Sequence, residues 1–131
     1  MPLIQTSVGE LLDKLSILQV KLKNIKNIDK LNLVLNEYNI LYKESVEYLN
    51  DNTILNTYHS LININSKLWD VEDKLRVLET ESRFEGEFID LARQVYYLND
   101  TRFKFKNEIN SITNSEIKEV KEYVDYKNPI K

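Results

Sequence analysis

The chain predicts an all-α fold: an antiparallel helical bundle of four main helices plus a short C-terminal helix. Apolar residues recur at three- and four-residue steps along most of the 131 residues. Nowhere does period-two alternation persist between Gly or Asn-Gly turns, so strands are not expected. Two glycines and two prolines supply little turn chemistry, which favours long helices joined by short connections.

The first helix starts at Ser7, whose hydroxyl and the following Glu10 have capping-box spacing. Val8, Leu11, Leu15, Leu18, Leu22 and Ile25 form its seam, and Leu12 widens it. Ile17 and Val20 lie nearly opposite, so this helix is expected to meet protein on two faces, as a central helix or a dimer contact does. Asn24–Asn27 reads as a connection and Asp29 as the next cap. The second helix is expected from about Lys30 to Leu49, with Leu31, Val34, Leu35, Tyr38, Leu41, Tyr42, Ser45, Tyr48 and Leu49 inward. After the Asn50-Asp51-Asn52 turn, capped by Thr53 or Asn52, the third helix runs to about Glu81. Ser82 to Gly86 breaks the chain, Ser82 serving as a cap. In the fourth helix Phe84, Phe88, Leu91, Val95, Leu98, Phe105 and Ile109 share one face. Asn114-Ser115 opens the short final helix, and Asn128-Pro129 ends the ordered chain.

Length fits one domain over 1–131, with an ordered core of about 7–124. Hydrophobic residues at 42% with charged residues at 30% exclude a disordered chain. Net charge is −3 with acids and bases interleaved, so no basic patch invites nucleic acid. Cysteine is absent, which removes disulfides, thiolate nucleophiles and thiolate metal sites. The opening MPLIQTSVGELLDK lacks a signal-peptide pattern and no apolar run reaches membrane-spanning length. A cytoplasmic protein without membrane contact is expected, in which the Asn99-Asp100-Thr101 sequon carries no meaning.

The most informative stretch is Leu68–Glu79, LWDVEDKLRVLE. At ~100° per residue, Leu68, Val71, Leu75 and Leu78 form an apolar stripe, bordered by a second stripe of Asn65, Trp69, Glu72, Arg76 and Glu79. The fourth helix holds the sharpest anomaly, Arg102 at the centre of an apolar face, with Asn99 and Lys106 at its edge. A guanidinium facing a core must be paired, and Glu72 and Glu79 are the expected partners. Glu10 with Lys14, and Glu72 with Arg76, have i,i+4 spacing. Glu10, Lys14, Glu72, Arg76, Glu79, Asn99, Arg102 and Lys106 are therefore expected in one polar layer across three helices, walled by Trp69 and Tyr97; of these, Lys14, Trp69, Glu72, Arg76, Glu79, Asn99, Arg102 and Lys106 are the candidate ligand-binding residues. Such a layer is a buried salt-bridge network that fixes helix register, a pocket for an anionic small molecule gripped by arginine, or a solvated face.

No residue is assigned to catalysis, and no metal or cofactor is expected. His59, the only histidine, has no acid-and-nucleophile arrangement near it, and Gly-rich phosphate loops, HExxH and GxSxG are absent. The tyrosines Tyr38, Tyr42 and Tyr48 suit the edge of a core. Glu10xxAsp13 and Asp70xxAsp73 each set two carboxylates a turn apart, a spacing met by chance on solvated helices. The competing enzyme class is a metal-dependent hydrolase using Glu10, Asp13, Glu72 and Asp73, like helical nucleotide pyrophosphohydrolases, although the ExxE helix of those enzymes has no counterpart here. A purely structural or oligomerisation scaffold is the third class, marked by an exposed patch on Ile17 and Val20. A homo-oligomer or protein partner is expected from the two-faced first helix.

Gly9-Glu10-Leu11-Leu12-Asp13-Lys14-Leu15-Ser16-Ile17-Leu18 resembles the GELxDKxxIL opening of an uncharacterised family of short bacterial and viral proteins. Leu68–Asp73 with Arg76 and Glu79, Phe88–Arg93 with Val95-Tyr96, and Asn99-Asp100 with Arg102, Lys106 and Ile109-Asn110 are similar to its later motifs. The resemblance spans about Ser7 to Asn110. It implies an all-helical protein of unknown function and no activity, and its motif positions coincide with the polar layer.

Overall fold

The computed structural model describes residues 1–127; Asn128-Pro129, expected to end the ordered chain, lie outside them. Four helices form: α1 (Val8–Asn24), α2 (Ile28–Leu49), α3 (Asn52–Thr80) and α4 (Gly86–Ile112). No strand occurs among the described residues, and no helix there is long and apolar enough to cross a membrane.

Local chemistry sets the ends. The Ser7 hydroxyl accepts from Glu10 N–H at 3.1 Å, as the spacing predicts. The cap of α2 is Asn27, not Asp29: its side chain accepts from Lys30 N–H. Asp51 rather than Thr53 or Asn52 caps α3, accepting from Thr53 and Ile54 N–H. A carboxylate outcompetes the neighbouring hydroxyl and amide because it also favours the positive end of the helix dipole.

Ser82 closes α3 instead of capping α4. It takes a left-handed conformation (φ 53°), and Arg83 N–H reaches back to the Leu78 carbonyl. Asn114 (φ 51°) ends α4 the same way, with Ser115 N–H on the Asn110 carbonyl. The expected short final helix does not form among the described residues. The Ser115 hydroxyl donates to the Ile117 carbonyl, which takes it away from N-capping, and residues 115–127 run as an irregular tail against α4.

Burial divides the bundle into two regions. In the four-helix region Leu12, Leu15, Ile54, Tyr58, Leu61 and Ile109 form the core, flanked by Tyr38, Leu41 and Tyr48 of α2. Ser45 is the one buried residue of α2, while Leu35 and Tyr42, expected inside, are exposed. The second region holds only α3 and α4: Val71, Leu78 and Leu91 pack with Leu75, Phe88, Val95 and Leu98. Phe84, expected on the inner face of α4, precedes that helix and is exposed. Helix α1 packs against each of the other three, so both of its apolar sides are occupied within the chain: Val20 is buried and Ile17 half-buried. The two-faced pattern therefore calls for no second copy.

A charged cluster between α1 and α4

Two short-stepped rows meet where α1 crosses α4. Gly9, Asp13, Ser16 and Val20 on α1 are all buried; Asn99, Arg102, Lys106 and Asn110 on α4 face them. Close approach requires glycine at position 9, because a Cβ there would collide with the Lys106 carbonyl oxygen. Gly9 N–H instead donates to Asn110 Oδ1 at 2.7 Å, which satisfies a helix-start amide across 101 positions of sequence.

Asp13 is the centre of the cluster, and only 1% of its side chain is exposed. Arg102 grips it with two bonds, Nε to Oδ1 at 2.8 Å and Nη2 to Oδ2 at 2.5 Å. Asn65 of α3 donates from Nδ2 to Asp13 Oδ1 (3.1 Å) and to Ser16 Oγ (2.8 Å), and the Ser16 hydroxyl donates to the Asp13 carbonyl. Buried ions persist only when paired and hydrogen-bonded, and this carboxylate meets both conditions. Beside it, the Lys106 ammonium lies 2.8 Å from Glu10, 2.6 Å from Glu119 in the tail and 4.0 Å from Asp13. The Asp13 bonds raise the Arg102 pKa against the pull of burial. Burial would lower that of Lys106, but Glu10 and Glu119 outweigh it and raise it. Both stay cationic through the neutral range.

The expected polar layer thus separates into parts. Arg102, Lys106 and Asn99 come together, the last accepting from Arg102 Nη1 at 3.3 Å. Arg102 pairs with Asp13 and not with Glu72 or Glu79, because α1 supplies a nearer, buried carboxylate. Trp69 and Glu72, with Ile17, Val20, Lys21, Asn65 and Leu68, line a cleft of about 220 Å³ that ends on Asn99 and Arg102. Arg76 and Glu79 lie further along α3 and line, with Glu72, Leu75, Phe88, Ala92 and Val95, an open groove of about 470 Å³. Arg76 donates to the Glu72 backbone carbonyl there. Lys14 points elsewhere, to Glu37 of α2 at an exposed 3.2 Å pair, and so does not pair with Glu10. Tyr97 does not wall the layer; its ring packs tilted against Tyr96 and edge-on against Tyr126. His59 is exposed beside Tyr58.

Glu10, Asp13, Glu72 and Asp73 do not converge. The first two hold Lys106 and Arg102, Glu72 faces the cleft and Asp73 is exposed. No group of three His, Cys, Asp or Glu side chains suited to a metal ion occurs among the described residues. The geometry expected of the hydrolase alternative is therefore not formed.

Sequence reasoning missed Asp13 as the partner and Glu119 altogether. The available signal for Asp13 was its place between Gly9 and Ser16 on one stripe, where small residues admit a second helix closely.

Fold and site together define an all-helical bundle protein organised around a buried, hydrogen-bonded ion cluster. A family model described as a family of unknown function, DUF6165, matches residues 3–131, and the chain belongs to that family. No curated protein and no solved structure matches it.

Proposed function

We propose that this protein is a small-molecule binding protein whose cleft between α1, α3 and α4 takes a compact anionic ligand at Arg102. One observation carries the reading. Asp13 fixes the guanidinium along one edge, yet Arg102 remains 26% exposed, with Nη1 turned toward Asn99 at the meeting point of two cavities. A guanidinium held in this way loses little freedom on binding and presents its remaining donors to a carboxylate or phosphate oxygen. Lys21 adds positive charge at the cleft, and Leu68 and Trp69 offer an apolar wall for the rest of the molecule. A purely structural network is the competing reading, supported by the near-complete burial of Asp13.

Trp69 is the only tryptophan and lines the cleft, so its fluorescence reports occupancy. The expected result is a saturable fluorescence change with a member of a panel of nucleotides, sugar phosphates and dicarboxylates, accompanied by a rise in Tm. Ligand at 100 times Kd adds about 2.7 kcal/mol to folding. Trp69→Ala, which removes the cleft wall and none of the ion-cluster side chains, should lower the unliganded Tm through lost packing and abolish the ligand-induced rise. A cooperative melt that no panel member shifts would leave the structural network as the account of this cluster.

A further inference from the structure

The tail contributes a carboxylate to a cavity that is otherwise cationic. Asn99, Arg102, Phe103 and Lys106 of α4 form a cavity of about 130 Å³ that Glu119 and Lys121 complete. Among the described residues Glu119 is the one acid on this lining, 2.6 Å from the buried Lys106 ammonium. With it the ion cluster holds three carboxylates (Glu10, Asp13, Glu119) against two cations (Arg102, Lys106). Glu10 and Asp13 already balance Arg102 and Lys106, so Glu119 is not needed to neutralise the α1–α4 pair; its charge is offset by Lys121 of the same tail.

The tail buries little aliphatic surface: Val120 and Val124 are 86% and 84% exposed. Its anchors are polar or aromatic: Glu119 on Lys106, Lys121 over the Phe103 ring at 5.1 Å, and Tyr126, which donates to Asp100 and packs edge-on against Tyr96 and Tyr97. The Lys121 contact is exposed and weak, whereas Glu119 meets a buried ammonium, so this one ion pair is the tail's principal charged anchor and the contact that a competing anion has to replace.

We propose that Glu119 stands in for a ligand carboxylate or phosphate, so that the tail is a displaceable plug and the ligand's anionic group takes its place beside Lys106 and Arg102. The proposal rests on the reading of the cleft as an anion site and adds to it the seat of the anionic group and its regulation. A protein whose binding-competent state is a minor fraction shows an affinity reduced by that fraction, so freeing the tail tightens binding.

The test uses the full chain, Glu119→Gln and Tyr126→Phe, each titrated with malonate and with inorganic phosphate. Tm shift gives affinity, and the rate of tryptic cleavage after Lys118 and Lys121 gives release of the tail. The expected result is cleavage accelerated by the probe in the parent, fast cleavage without probe in both variants, and binding tighter by about tenfold in Glu119→Gln. Tyr126→Phe should tighten binding too, although it leaves the cavity charge untouched. If only Glu119→Gln binds more tightly, Glu119 acts as a charge and the plug is overturned. Equal affinity and equal cleavage in all three proteins overturn the plug while leaving the anion site standing. Absence of probe binding in all three overturns both.

Discussion

The two regions of this molecule solve the same packing problem differently. In the four-helix region each core side chain meets neighbours from several directions, and Leu12, Leu15, Leu61 and Ile109 have no exposed surface. Where α3 and α4 pair alone, Val71, Leu78 and Leu91 keep 5–8% exposure, and Val77, Phe84 and Ile89 are half exposed. Two helices enclose a line of side chains, whereas four enclose a volume. The difference teaches where the buried charge had to sit. Only the crowded region excludes enough water to make Asp13 dependent on Arg102, and only there does one misplaced group cost several kcal/mol.

The largest expected effect tests that dependence. Arg102→Leu leaves Asp13 buried without its main partner and should destabilise by about 3–5 kcal/mol in urea denaturation. The double variant Asp13→Leu/Arg102→Leu removes both charges and should recover much of that loss. A double variant as unstable as the single one would contradict the pairing.

Next comes the contrast between cores. Leu61→Ala should cost about 4 kcal/mol, because a cavity enclosed by four helices cannot collapse. Leu78→Ala, in the two-helix region, should cost about 2 kcal/mol, since neighbours and water fill the space. Equal losses by denaturant titration would erase the distinction between the regions.

The smallest effect is alkaline. Lys106 has its pKa raised above the ordinary 10.5, and Tyr58, through burial and the nearby Tyr38 and Tyr42, above its ordinary 10.0. Both groups bind protons more tightly folded than unfolded, so their contribution is intact below those ordinary values and is lost as pH rises beyond them. Tm should therefore fall from about pH 10 upward, and fall less steeply in Tyr58→Phe. A decline just as steep in that variant would remove Tyr58 from the account.

Periodicity made the four helices legible, and Ser7 marked the first start to the residue. The need for a partner to Arg102 was legible too, since an arginine inside an apolar face admits few alternatives. Which acid answers it was not. Glu72 and Glu79 are as acidic as Asp13, and only the approach of α1 over Gly9 makes the last one nearest. Asp13 was disguised by Glu10 three residues earlier, a pairing usual on solvated helices. Ser115 was misleading for a different reason: a serine after a helix end looks like the next cap, yet here its hydroxyl donates. Glu119 left no signal, because a tail's path along a helix has no period to read.

The bond from Gly9 to Asn110 spans 101 positions, whereas Leu78 and Leu91 meet across a single turn. Closing the short loop costs less chain entropy; drawing α1 onto the far end of α4 is the costlier step. The site shares this step, since Asp13, Asn65 and Arg102 arrive from three separate helices. A chain that has made its α3–α4 turn but not seated α1 has helices and no ion cluster at all.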